Sequence, residues 1–193
     1  MNHTALIDGH CGWAGKDPLY VEYHDMEWGR PVSDDRKLFE SLVLESAQAG
    51  LSWISILRRR DGYRRAFHDF DVASVAAMTD EDVERLMKFD GIIRNRRKIA
   101  TTITNAQHFM EIQREHGSFH NYILSFFPEG KRIVNHPVNI EDIPVTSPQS
   151  DAMAKDMYRR GFRFFGSTIC YAFLQATGFV DDHLEGCHCK YRH

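Results

Sequence analysis

The chain has 193 residues, 42% hydrophobic and 26% charged, with 24 Lys plus Arg against 27 Asp plus Glu and a net charge of −3. That length supports a core without disulfide staples, and the composition excludes a disordered chain, a collagen-like repeat or a coiled-coil rod as the main state. No apolar run approaches the roughly 18 residues of a membrane span, and MNHTALIDGHCGW lacks the basic start and apolar stretch of an export signal. The sequence therefore reads as a soluble cytoplasmic protein with no membrane partner, one domain over residues 1–193.

In chain order, residues 1–32 show no clean periodicity and are expected to be irregular, with 1–10 a flexible extension. Ser33-Asp34-Asp35 reads as a helix cap before Leu38, Phe39, Leu42 and Val43, which share a face. Asp71 caps VASVAAM, and Thr79-x-x-Asp82 resembles a capping box before VERLMKF. A long helix is predicted from Asn95 to His116, stopped by Gly117. Ser118 to Phe127 reads as a short helix ended by Pro128-Glu129-Gly130. Ser147-Pro148 opens another, which Gly161 ends. Ser167 to Thr177 is apolar, with Gly178 beyond it. Period-2 strands are missing, so the fold class is all-α, with irregular segments at 1–32, 128–147 and 178–193.

Three windows are strongly basic. Residues 57–65 hold five arginines against Asp61, residues 85–98 six cations against Asp90, and residues 155–163 four cations against Asp156. A shared face would suit a polyanion, whereas the plain alternative is three solvated helix ends. The acidic overall balance argues against indiscriminate coating of nucleic acid.

Four cysteines (11, 170, 187, 189) and eleven histidines are present. Cys11 and His24 lie near one end, and His183-x₃-Cys187 near the other. A tetrahedral Cys₂His₂ zinc joining two segments poor in regular structure has a clear physical purpose. Four protein ligands would make it structural. The alternative is buried thiols and surface histidines, and His188 and Cys189 are rival ligands.

Residues 86–98, Leu-Met-Lys-Phe-Asp-Gly-Ile-Ile-Arg-Asn-Arg-Arg-Lys, have the layout of a helix-hairpin-helix spanning 79–98. The turn at Gly91, with Arg94 beyond it, can hold a phosphate without reading sequence. An ordinary αα-hairpin is the alternative. On a helical wheel Glu45 falls beside the apolar face of Leu38 and Leu42, where a carboxylate needs a partner or a purpose. Trp13, Tyr20, Tyr23, Trp28 and Trp53 are five of the ten Trp and Tyr residues. Rings and one carboxylate can make a pocket for a flat, cationic or hydrogen-bonding ring; core aromatics with a Glu that snorkels or caps a loop are the alternative.

These residues, taken together, resemble a family. His10-Cys11-Gly12-Trp13, Asp17-Pro18-Leu19-Tyr20, Tyr23-His24-Asp25, Glu27-Trp28-Gly29, Leu44-Glu45, Gln48-Ala49-Gly50-Leu51-Ser52-Trp53, Gly91-Ile92-Ile93-Arg94, Arg160-Gly161-Phe162, Ile169-Cys170-Tyr171, Asp182-His183 and Gly186-Cys187 resemble the bacterial DNA-3-methyladenine glycosylase I family. The resemblance runs from Cys11 to about Cys189. It implies a helix-hairpin-helix glycosylase fold with one structural Zn²⁺ on Cys11, His24, His183 and Cys187. It implies Glu45 as the carboxylate of the base pocket, and Trp13, Tyr20, Tyr23, Trp28 and Trp53 as its walls. Gly50 and Leu51 would belong to the loop that enters the DNA where the base has left. The implied activity is monofunctional base excision, releasing 3-methyladenine from double-stranded DNA containing alkylated adenine, by a monomer. Related helix-hairpin-helix glycosylases usually carry a water-activating Asp after the hairpin, and residues 95–141 contain none.

Two other readings compete. A zinc-stapled DNA-binding protein without catalysis explains the hairpin and the metal but not Glu45 among five aromatics. A catalytic zinc hydrolase needs an open coordination position, which four protein ligands deny.

Overall fold

The computed structural model describes residues 5–190. Ten α-helices lie among them: α1 (Pro18–Met26), α2 (Asp35–Gln48), α3 (Trp53–Leu57), α4 (Arg60–Ala66), α5 (Val72–Ala76), α6 (Asp80–Leu86), α7 (Arg96–His116), α8 (Phe119–Leu124), α9 (Pro148–Arg160) and α10 (Ser167–Ala176). The predicted caps are present. Asp34 accepts from Lys37 N at 2.9 Å, Asp71 from Ser74 N at 2.9 Å and Asn95 from Lys98 N at 3.1 Å. Ser147 accepts from Ser150 N at 3.1 Å. Each satisfies one of the N–H groups that a helix start leaves open.

α7 runs through the core. Its buried Ile99, Ile103, Ala106, Phe109 and Ile112 recur at three or four residues, one apolar stripe. Phe109 stacks on Phe119 with centroids 4.0 Å apart and meets Phe39 of α2 edge-on at 5.2 Å. Asp35 ties α2 to the other end of this layer, accepting from Gln113 Nε2 at 2.7 Å and from the backbone N–H groups of Phe119 and His120 at 2.8 and 3.1 Å. α10 buries Cys170, Tyr171, Phe173 and Leu174.

Two sequence expectations need correction. Residues 1–32 are not irregular throughout, because α1 occupies 18–26, opened by Asp17 accepting from Leu19 N at 3.1 Å and by Pro18 in the first turn. Its buried residues are Tyr23 and His24, so it shows none of the aliphatic spacing that marks a core helix. Short strands also exist. Leu6–Ile7 pairs antiparallel with His10–Cys11, and Ile133–Val134 pairs parallel with Val180–Asp181. Two residues are too few to show a period. Of the expected N-terminal extension, residues 1–4 lie outside the described residues.

The hairpin between α6 and α7 is held by close backbone approach. A Cβ on Gly62 of α4 would lie 1.9 Å from the Gly91 carbonyl oxygen, and one on Gly91 would strike the Phe89 ring at 2.4 Å. Tyr63 Oη accepts from Ile93 N at 3.3 Å. Absence of a side chain, rather than a left-handed backbone, is what position 91 requires. No described helix is long and apolar enough to cross a membrane.

Candidate functional site

Glu45 lies on the inner face of α2 and is 4% exposed. It lines a cavity of about 410 Å³ together with Trp13, Tyr20, Tyr23, Trp28 and Trp53. α1 supplies Tyr20 and Tyr23 three residues apart, and Trp13 comes from the short 3₁₀ turn after Cys11. The rings touch in sequence. Trp13 meets Tyr20 at 5.3 Å and Trp28 at 4.8 Å, both edge-on, and Tyr23 meets Trp53 at 5.4 Å. Such offsets suit the aromatic quadrupole and leave ring faces available for stacking. Glu45 has no hydrogen-bond partner among the described residues, and burial pushes its carboxyl up to about 8. Burial therefore favours the neutral acid at neutral pH, and a cationic guest would favour the ionised form.

Sequence reasoning missed several lining residues. Gln48, Ile140, Ile143, Val145, Tyr171 and Gln175 also face this cavity. The signal for Tyr171 and Gln175 was their spacing of four on an apolar helix; nothing local marks Ile140 to Val145. Trp53 Nε1 and Ser46 Oγ, both inaccessible to solvent, also lack partners among the described residues.

Cys11, His24, His183 and Cys187 converge beside this wall. All four are buried, and their ligand atoms lie within 4.8 Å of one another. Cys187 Sγ is 3.6 Å from both His24 Nε2 and His183 Nδ1, and Cys11 Sγ is 3.7 Å from His183 Nδ1. A tetrahedron with Zn–S near 2.3 Å and Zn–N near 2.05 Å has S···N edges of about 3.6 Å. The donor set thus fits a zinc ion in type, number and spacing. The outer nitrogens are also held: His24 Nδ1 is 2.7 Å from Asp25 Oδ1 and His183 Nε2 is 3.2 Å from the Trp28 carbonyl oxygen. Partners there fix the ring orientation that a metal needs. A hydrogen bond shared with Cys187 pushes the Cys11 thiol up, and the same bond, with His183 and His24 beside it, pulls the Cys187 thiol down. The rival ligands stand one step out: His188 Nε2 binds Asp25 Oδ1 at 2.9 Å, and Cys189 Sγ lies 3.7 Å from the same oxygen.

Cluster and cavity share a wall. Trp28 meets the His183 ring edge-on at 4.6 Å, and Trp13 meets His24 at 5.2 Å. Gly29 (φ +77°) allows this, since a Cβ there would sit 2.8 Å from His183 Nε2.

Gly50 (φ +79°) turns the chain at the end of α2, leaving Leu51 39% exposed. Gln48 Nε2 donates to Leu51 O at 2.9 Å. Lys98, in the first turn of α7, donates to Ala47 O at 2.9 Å and Ala49 O at 2.7 Å, joining the hairpin to the end of the Glu45 helix. Arg94 is exposed. Carboxylates neutralise part of each basic window. Arg58, Arg60 and Arg64 pair with Asp17, Glu27 and Glu40 at 2.5, 2.6 and 2.8 Å. Arg85 pairs with Asp82, Arg96 with Glu84, and Arg159 and Arg160 with Asp156. Arg59, Arg65, Arg94 and Arg97 have no carboxylate partner among the described residues.

A family model described as methyladenine glycosylase matches residues 13–191. DNA-3-methyladenine glycosylase 1 of Escherichia coli K12 is 48% identical over 179 residues, 93% of this chain and 95% of that protein. DNA-3-methyladenine glycosylase of Haemophilus influenzae is 43% identical over 180 residues, 93% and 97% of the two chains. A crystal structure of 3-methyladenine DNA glycosylase I superposes with a TM-score of 0.90 at 48% identity, covering 93% of this chain and 98% of that one. Another 3-methyladenine DNA glycosylase I, in complex with 3-methyladenine, gives 0.91 at 36% identity over all of both chains.

Proposed function

The chain belongs to the methyladenine glycosylase family, and from that premise we infer that it excises 3-methyladenine from alkylated DNA by hydrolysing the N-glycosidic bond. The observation that carries the assignment to a site is Glu45, buried without a partner in a cavity walled by five aromatic rings. N3-methylation leaves the adenine cationic in DNA. When the bond from sugar to base breaks, the electron pair goes to the base, which departs neutral, and water then adds to the sugar and loses a proton. A strong general acid is unnecessary for such a leaving group. What the enzyme must supply is extraction from the stack, shape selection and stabilisation of positive charge.

Flipping costs a few kcal/mol, less for a damaged base. Stacking on Trp13, Tyr20, Tyr23, Trp28 or Trp53 offsets about 1–3 kcal/mol per base contact. Glu45, ionised by the arriving cation, accepts from the exocyclic amine and favours the charged ring electrostatically. Gly50 and Leu51 sit at the turn closing the Glu45 helix, where an exposed leucine can fill the gap in the duplex. Gly91 and Arg94 hold the phosphate backbone nearby. A monomeric, cytoplasmic protein built as one glycosylase domain, with its helix-hairpin-helix over 79–98, suits this task.

A structural zinc on Cys11, His24, His183 and Cys187, when bound, supplies a cross-link between the two ends of the chain. These residues orient Trp13 and Trp28 through ring contacts and take no part in bond cleavage. The deciding experiment measures release of 3-methyladenine from methylated duplex DNA by wild type and Glu45→Gln. Release no faster than the spontaneous rate would instead leave a DNA-binding protein without catalysis.

A further inference from the structure

α10 brings Tyr171 and Gln175 to the cavity wall one helical turn apart. Neither side chain is loose. Behind them lies Asp182, fully buried, on which three donors converge. Asn135 Nδ2 donates to Oδ1 at 2.7 Å, while the Tyr171 hydroxyl and Gln175 Nε2 donate to Oδ2 at 2.6 and 2.7 Å. Turning the Gln175 amide over would set its oxygen against Oδ2, two acceptors face to face. The amide nitrogen is therefore committed to Asp182. The amide oxygen has no partner among the described residues and is the polar atom Gln175 has left to offer a ligand. Gln48 repeats the pattern: its Nε2 is committed to Leu51 O.

We propose that Gln175 is a specificity residue for the excised purine and that Asp182 is its positioning residue. This deepens the base-excision reading and rests on it. An amide oxygen locked toward the cavity accepts a hydrogen bond from an exocyclic amino group or a protonated ring nitrogen. A purine with a carbonyl at that place sets lone pair against lone pair, and both groups lose the water partners that the bound base displaces. Gln175 thus separates amino from oxo purines, and the geometry that makes it do so is set from behind the wall.

Binding of free 3-methyladenine and free 3-methylguanine, read from tryptophan fluorescence, tests the proposal, with metal content and thermal midpoint recorded for each variant. Wild type should prefer 3-methyladenine, and Gln175→Leu should lose about tenfold of that preference, mainly through weaker 3-methyladenine binding. Asp182→Asn should narrow the preference too, and should change it no further in the Gln175→Leu background. An unchanged ratio, equal weakening of both bases, no preference in wild type, or additive effects of the two substitutions overturns the proposal. If Asp182→Asn does not fold, Gln175→Leu alone decides. Failure of the underlying reading is separate: wild type would then release no 3-methyladenine from methylated duplex DNA.

Discussion

Two buried polar clusters share a wall in this molecule and follow opposite rules. Around Cys11, His24, His183 and Cys187 the polar groups hold one another, and Asp25 and the Trp28 carbonyl secure the outer nitrogens. Across Trp13 and Trp28, Glu45 is buried with no hydrogen-bond partner among the described residues, and burial pushes its carboxyl up to about 8. Mutual satisfaction suits the first region to the proposed staple. Withheld satisfaction suits the second to the proposed base pocket, because a buried acid without a partner costs free energy that the right guest returns.

The contrast can be broken most severely at the staple. Cys187→Ser should lose bound metal and destabilise the fold by about 3–5 kcal/mol, since a buried donor set is left incomplete. Metal analysis with denaturant titration checks this, and unchanged metal content would shift the ligand role to Cys189. Next comes the receptor. Glu45→Gln should slow release of 3-methyladenine by about 10²–10³-fold, the usual cost of removing one electrostatic group from such a site. Wild-type turnover in that variant would remove Glu45 from the chemistry.

The same substitution sharpens the contrast in stability. Glu45 keeps its proton in the fold up to about 8, whereas in the unfolded chain it loses it near 4.5. Folding stability therefore falls as pH rises from 4.5 to 8 and levels off above. Glu45→Gln removes that slope, so it should stabilise the protein by a few kcal/mol at about pH 8.5 and hardly at all at about pH 4.5. Equal effects at both pH values would mean that burial does not suppress ionisation. The smallest effect is expected at the joint between hairpin and cavity. Lys98→Met removes the two hydrogen bonds to Ala47 O and Ala49 O, and should slow single-turnover excision about tenfold while leaving affinity for the free base unchanged. Lys98→Arg should restore part of the rate; a parallel loss of free-base affinity would place Lys98 in general support of α2.

Much of this architecture was visible in order of residues. Asp34, Asp71, Asn95 and Ser147 announced helix starts because capping is a local event, decided within three residues. Glu45 was conspicuous because helical periodicity put it on the apolar side of α2. α1 escaped notice because its inward residues are Tyr23 and His24, which carry no aliphatic rhythm. Which arginines of the basic windows stay unpaired could not be read locally. Asp17, Glu27 and Glu40, which neutralise Arg58, Arg60 and Arg64, lie 24 to 41 residues away in sequence.

What the sequence by itself determined is the capped and long helices α2, α5 to α10, the polar residue out of place on α2, and the donor types at the two ends of the chain. Those follow from short-range sterics, hydrogen bonding and hydrophobic spacing. Only the tertiary structure decided that the four candidate metal donors stand within 4.8 Å of one another, that Asp182 reaches Gln175 across the cavity wall, and that most of the described arginines are already paired. Such contacts join positions far apart in the chain, and their free energy depends on distances and burial that exist only once the helices have packed.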